Sequence, residues 1–260
     1  MPESRVVIVT GGTSGIGKAI ALAFAKIGHK VAINGFGTHQ DIDSVLAELT
    51  AAGADQVLHV PSDMTKTHEI QKLMESVEQK LGACQILVNN AGIQHTARIE
   101  DFPADKWDQI ISINLSAAFH TMRLALPAMQ KNNFGRILNI ASVHGLVASV
   151  DKSAYVAAKH GIIGLTKVAA LENANYNITA NCVCPGWVKT PLVEKQVEAI
   201  ALRENLSMET ATEKLLSEKQ PSGRFVPLEE LAALCVFLSG DNASSITGMS
   251  LPVDGGWTAR

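Results

Sequence analysis

The most constraining feature of the chain is an alternation. Short apolar runs rich in β-branched residues recur at 6–9, 31–34, 57–60, 86–89, 137–140 and 178–184. They are only a few residues long and show no polar alternation, so they read as strands buried on both faces. Between them Ile16, Ile20, Phe24 and Ile27 keep a helical spacing, as do Ile42, Val45, Leu46 and Leu49, and then Ile70, Leu73, Met74, Val77 and Leu81. Gly28, Gly53 and Gly82 follow these stretches where a helix C-terminus favours glycine. Parallel strands joined by helices need right-handed crossovers with helices on both faces. The expectation is one α/β domain over 1–260, a doubly wound parallel sheet of about seven strands.

One stretch breaks the rhythm. Residues 190–222 are polar and helical in pattern, with no strand inside. Following the sixth strand, this helical insertion would overhang the crevice beyond the strands' carboxyl ends, either as a substrate lid or as a structural excursion.

Between the first strand and first helix lies Thr10-Gly-Gly-Thr-Ser-Gly-Ile-Gly17, a GxxxGxG loop. There Gly11 allows a tight turn, Gly15 lets the backbone approach a pyrophosphate, and Gly17 permits close helix–strand packing, while the helix N-terminus offers free N–H groups. With Thr13, Ser14 and Ile16 these form a candidate dinucleotide cradle of the Rossmann type. An acid about 20 residues on usually binds the ribose of NAD. Here that place reads Asn34-Gly-Phe-Gly-Thr-His-Gln40, with no acid and no Arg or Lys for a 2′-phosphate; the missing cation favours NAD, with Phe36 beside the adenosine. Asp63, followed by Met64, reads either as an adenine partner or as a loop or N-cap carboxylate.

Composition narrows the partners. A net charge of −3 without a Lys/Arg cluster gives no footprint for nucleic acid or an anionic membrane. The apolar runs fall far short of the ~20 residues that span a bilayer, and the first residues carry no signal-peptide pattern. A cytoplasmic protein with a small-molecule partner is expected. Cys84, Cys182, Cys184 and Cys235 form no CxxC pair, and eight histidines show no ligand spacing, so no metal is expected.

Tyr155-Val-Ala-Ala-Lys159 puts a phenol and an ammonium one turn apart on a helix. An adjacent lysine and an oxidised nicotinamide would favour the phenolate, and a drop of ~3 units needs roughly 4 kcal/mol. Ser142, just past the fifth strand, can hydrogen-bond the reacting oxygen. Alone, YxxxK is common on ordinary helices; joined to Ser142 and the glycine loop it points to hydride-transfer chemistry.

The glycine loop, Asn89-Asn-Ala-Gly92, Asn114, Ser142, Tyr155, Lys159, Pro185-Gly186 and Asp254-Gly-Gly256 together resemble the short-chain dehydrogenase/reductase family, over essentially the whole chain. The resemblance implies Tyr155 as the acid/base, Lys159 on the nicotinamide ribose, and Asn114 holding a water in a proton relay. It also implies Asn90 and Gly92 along the cofactor, Pro185, Val188 and Thr190 beside the nicotinamide, and a homotetramer. Further stretches, Gln94-His-Thr96, Ser142-Val-His-Gly-Leu-Val147, Lys152-Ser-Ala-Tyr155, Pro185-Gly-Trp-Val-Lys-Thr190, Gln196 and Gly255-Gly-Trp257, resemble members acting on small 3-hydroxy acids. Such an acid needs its carboxylate held one methylene from the carbinol: Lys152 supplies charge, Gln94, His144 and Gln196 supply donors, and Trp187 and Trp257 bound the alkyl end. Taken singly, each of these residues also reads as an ordinary helix-start, turn, surface or core residue. The competing readings are an NADPH-dependent 3-oxoacyl-carrier-protein or acetoacetyl-thioester reductase, and a catalytically silent dinucleotide-sensing module.

Overall fold

The computed structural model describes residues 4–259, apart from the side chain of Leu192; positions 1–3 and 260 of the expected 1–260 domain lie outside the described residues. Strands and helices alternate in chain order: β1 (Val6–Val9), α1 (Gly15–Lys26), β2 (Lys30–Ile33), α2 (His39–Ala52), β3 (Gln56–His59), α3 (Thr67–Leu81) and β4 (Ile86–Asn89). After α4 (Ala104–Ile111) and α5 (Ala117–Lys131) come β5 (Gly135–Ile140), α6 (Ser153–Glu172) and β6 (Ile178–Pro185). The chain closes with α7 (Pro191–Glu204), α8 (Met208–Lys219), α9 (Leu228–Ser239) and β7 (Ser250–Val253). The strands form one sheet in the order β3-β2-β1-β4-β5-β6-β7, every pairing parallel. The doubly wound seven-stranded sheet is therefore as expected. Strand order reverses between β1 and β4, which opens a crevice at their carboxyl ends.

The period-2 geometry of β1 explains the two cores. Val7 and Val9 face one layer with Phe24 of α1, Leu49 of α2 and Leu231 of α9, while Val6 and Ile8 face the other with Leu73 of α3 and Met122 of α5. On that second side a buried polar chain ties helices to sheet. Thr121 Oγ1 donates to Asn89 Oδ1 at 2.6 Å, Asn89 Nδ2 to Asn139 Oδ1 at 2.8 Å, and Asn139 Nδ2 to Thr166 Oγ1 at 2.8 Å. Fully partnered, such a network fixes α5 and α6 in register under β4 and β5, and α6 carries Tyr155 and Lys159.

The boundaries differ in informative ways. Asn34 and Val60 fall just past β2 and β3; Asn34 instead donates its side-chain amide to Ser62 O at 3.0 Å. Gly28 lies one residue beyond the Ile27 cap of α1 with φ +79°, whereas Gly53 is itself the left-handed cap of α2. Residues 112–116 form a π-helical turn between α4 and α5, which periodicity did not indicate. Residues 190–222 do hold a helical pair, α7 and α8, whose cluster of Val193, Val197, Ala211 and Leu215 packs with Trp187 and Trp257.

Candidate active site

The crevice at the switch point deepens into a cavity of about 460 Å³. Every residue expected to bind cofactor or substrate lines it except Gly17, and of the four expected catalytic residues all but Asn114 do. The glycine loop shows why Gly17 still belongs. A Cβ on Gly17 would lie 2.2 Å from the Gly11 carbonyl oxygen and 2.4 Å from Asn90 Nδ2. Gly17 therefore works behind the cradle, permitting the loop to fold onto its own first turn rather than the helix–strand contact expected. Asn90 Nδ2 completes that turn by donating to Thr10 O at 2.9 Å and Gly11 O at 3.1 Å. In contrast Gly15 (φ +52°) faces open space, with Thr190 Cγ2 at 3.6 Å the nearest atom a Cβ would meet. That is the shape a pyrophosphate over a helix N-terminus requires, so the residues present fit a dinucleotide. Gly17→Ala is expected to weaken dinucleotide binding at least about tenfold, since backbone and not a flexible side chain must give way; isothermal titration with NAD checks it, and unchanged affinity would contradict this account.

At the adenosine end Thr13 Oγ1 donates to Phe36 O at 3.0 Å, and the Phe36 ring is three-quarters exposed. Asp63 lines the cavity but is also a loop cap: Oδ1 accepts from Thr65 N at 2.9 Å and Thr65 Oγ1 at 2.7 Å, and these bonds hold its carboxyl below the usual range. The loop-cap reading of Asp63 is met, while the residue also lines the cavity. Among the described residues, the only lysines or arginines lining the cavity are Lys152 and Lys159.

Those two sit on α6 with Tyr155. Lys159 is buried, donates from Nζ to Ile140 O at 2.6 Å, and lies 5.6 Å from the centre of the Tyr155 ring. Burial draws its ammonium down to about 8. The Tyr155 phenol moves the other way: burial pushes it above its ordinary value, and a Ser142 hydrogen bond opposes that only partly. Burial thus outweighs the protein's own charges at the phenol, while Lys159 gives one of its three N–H donors to the Ile140 carbonyl and keeps two for other partners. The positive nicotinamide has to supply the balance.

Asn114 lies in the π-helical turn, where its side chain accepts from Ile93 N and donates to Ile93 O, both at 2.9 Å. Beside it is a second cavity of about 10 Å³, lined by Asn114, Lys159 and Asn89, large enough for one water. A π turn leaves helical carbonyls without their ordinary i→i+4 partner, which makes it a common device at functional sites.

The substrate side is built by Lys152, His144, Trp187 and Trp257. Lys152 is buried; its Nζ approaches Gln196 Oε1 at 3.4 Å and lies 4.9 Å over the Trp187 ring. Burial lowers it to about 8, with Glu218 opposing through its field. His144 is held neutral, at about 3, chiefly by burial. Its Nε2 is paired with Ser149 Oγ at 2.9 Å and its Nδ1 faces Ser142 Oγ at 3.4 Å, so it is engaged within the protein instead of presenting a free donor as expected. Gln94 Nε2 and Trp187 Nε1 are buried without a partner among the described residues. The two indoles stand 5.4 Å apart at 43°. Sequence reasoning missed Ser149 and Gln220, ordinary polar residues whose partners, five and 33 positions away in the chain, no local pattern marks.

A phenol, a serine hydroxyl and a buried ammonium around one face of a dinucleotide cradle can move a proton while carbon exchanges a hydride. The comparisons agree. The family model described as short chain dehydrogenase matches residues 5–201. The chain is 54% identical over 261 residues to a D-beta-hydroxybutyrate dehydrogenase of Cupriavidus necator, covering all of both chains. It is 49% identical over 257 residues to one of Rhizobium meliloti, covering 99% of this chain and all of that one. Among solved structures, an actinorhodin polyketide ketoreductase bearing a single substitution and crystallised with NADPH superposes with a TM-score of 0.93 at 34% identity, covering 99% of this chain and 98% of the other.

Proposed function

The chain belongs to the short-chain dehydrogenase family, and from that premise we propose that it interconverts D-3-hydroxybutyrate and acetoacetate with NAD. The observation that carries the substrate is Lys152: a buried ammonium in the same cavity as Tyr155, held beside the Gln196 amide and the Trp187 ring and in the field of Glu218. A buried cation held this way is stabilised by an anion, and a carboxylate one methylene from the carbinol reaches it from the reacting centre.

The nicotinamide supplies the hydride acceptor and donor. Tyr155 takes the carbinol proton during oxidation and returns it during reduction, and Ser142 holds the same oxygen by a hydrogen bond. Lys159 anchors the nicotinamide ribose and, with Asn114 and one water in the small cavity, passes the proton outward. Lys152, with Gln94 and Gln196 close by, orients the carboxylate, while His144, held by Ser149, keeps Ser142 in place. Trp187 and Trp257 close the methyl end. Helices α7 and α8 lie over these groups as a lid, completing a single catalytic domain.

NAD rather than NADP is supported at the loop after β2. Asp41 accepts from Thr38 N at 3.1 Å and Thr38 Oγ1 at 2.7 Å in a capping box, and these bonds keep it ionised, so it sets negative charge beside that loop. A 2′-phosphate meets repulsion there and no cation. The exposed apolar residues Phe119, Val168 and Leu171 on α5 and α6, with Phe237 and Met249 near the β7 edge, support a homotetramer. Four free, buried cysteines suit the cytoplasm.

The test is absorbance at 340 nm with D- and L-3-hydroxybutyrate and a 3-hydroxyacyl thioester, each with NAD and NADP. The expected result is turnover of the D-acid, with kcat/KM at least about tenfold higher for NAD, the worth of one charge-assisted contact. Turnover of the thioester alone, with NADPH, would overturn the substrate and leave the fold untouched.

A further inference from the structure

Gln220 closes the helical pair and is wholly buried. Each of its polar groups is used. The backbone N–H donates to Leu216 O at 2.8 Å, the carbonyl accepts from Gly223 N at 2.9 Å, the side-chain Oε1 accepts from Trp187 N at 2.7 Å, and Nε2 donates to Arg224 O. A buried amide satisfied at both ends is a rigid cross-link, because a partner lost in the interior is not replaced by water.

Three chain segments meet at this side chain: the exit of β6 at Gly186 and Trp187, the return from α8 over 220–226, and the turn from Asp254 to Trp257. The junction has no slack. A Cβ on Gly186 would lie 2.5 Å from Gln220 Oε1 and 2.9 Å from Asp254 Cα, and one on Gly255 would lie 2.9 Å from Gln220 Cγ. Ser222 N donates to Gly255 O at 3.0 Å, and Val226 N to Trp187 O at 2.8 Å. The Asp254 carboxylate in turn accepts from Gly256 N at 3.0 Å and Thr258 N at 2.8 Å, fixing the turn that carries Trp257. Both indoles at the alkyl end are therefore located by segments referenced to one amide.

We propose that Gln220 is a positioning residue that sets the length of the alkyl pocket by holding the Trp187 main chain against the segment bearing Trp257. The role rests on the small 3-hydroxy acid reading above. Gln220 touches neither substrate nor cofactor; it acts by denying Trp187 the movement that would admit a longer chain.

The experiment compares wild type with Gln220→Met, which keeps the volume and loses both amide bonds, and Gln220→Glu, which keeps an acceptor for Trp187 N and loses the donor to Arg224. Two readouts are taken: the ratio of kcat/KM for the four-carbon over the six-carbon 3-hydroxy acid, and the circular dichroism couplet of the Trp187–Trp257 pair. A methylene in a tight pocket is worth about 10- to 200-fold. Gln220→Met is expected to lower the ratio at least about tenfold, weaken the couplet, and leave kcat on the four-carbon acid less affected than KM. A folded Gln220→Met with a lower Tm but unchanged ratio and couplet overturns the proposal. If Gln220→Met does not fold, Gln220→Glu decides by the same two readouts, an unchanged ratio overturning it and a lowered one supporting it. If wild type turns over no 3-hydroxy acid, the functional reading fails on its own and the couplet alone judges the latch: weakened supports it, unchanged overturns it.

Discussion

Tyr155→Phe is expected to lose about three orders of magnitude in kcat while binding NAD as wild type does, the scale of a positioned acid/base group. The phenyl ring keeps its edge contact with His144, whose centroid is 6.0 Å away, and its place beside Lys159, so binding surfaces survive and the proton is lost. The pH dependence has a definite sign. Burial holds the Tyr155 phenol above its ordinary value in the protein alone, and positive charge on the nicotinamide brings it down. Oxidation then rises with pH as the phenol loses its proton, and reduction falls over the same range. Steady-state kinetics with fluorescence titration of the dinucleotide checks this; a variant retaining more than about a tenth of wild-type kcat would remove Tyr155 from the chemistry and favour a silent dinucleotide-binding module.

Lys152→Ala is expected to lower kcat/KM for D-3-hydroxybutyrate about a hundredfold or more, since truncating one partner of a buried charge pair costs about 2–5 kcal/mol. The loss falls mainly on KM, because the carboxylate is bound equally in ground and transition states. With its ammonium at about 8, the free enzyme loses affinity for the acid as pH rises through that value. The corresponding alkaline limb of kcat/KM should vanish in the variant, while Lys159, also at about 8, keeps its own. Stability moves oppositely. The buried lysine releases its proton near 8 and the unfolded one near its ordinary 10.5, so between those values the unfolded chain binds more protons and wild-type stability rises with pH. At neutral pH the charged Lys152 therefore costs stability, and Lys152→Met should raise Tm. A variant with unchanged KM and a lower Tm would make Lys152 structural and remove the carboxylate site.

Much of this was legible beforehand. The strands at 6–9 and 86–89 appear where the apolar runs stand, because a strand covered on both faces has no polar side to blur its ends. The ends of β2 and β3 were less legible: Asn34 and Val60 still donate backbone N–H groups to Val9 O and Ile33 O, while the Asn34 side chain turns to Val60 O and Ser62 O. YxxxK placed Tyr155 and Lys159 on one helix correctly, but spacing carries no hydrogen-bond direction: that Lys159 donates to Ile140 O depends on how closely α6 lies on β5. His144 was recognised as a pocket residue and its partner was not, because Ser149 meets it through the 3₁₀ turn at Val143–Gly145.

What the sequence determined by itself is whatever local pattern encodes: the doubly wound sheet, the glycine cradle, and the phenol and ammonium one turn apart. These follow from periodicity, φ preferences and helical spacing, which act over a few residues. Only the tertiary structure decided which partners these groups take, such as one N–H of Lys159 on a backbone carbonyl, His144 on Ser149 and Gln220 across three segments. Those outcomes depend on burial and on contacts between residues 5 to 33 positions apart in the chain, where a polar group loses water and must take whichever partner the packing brings.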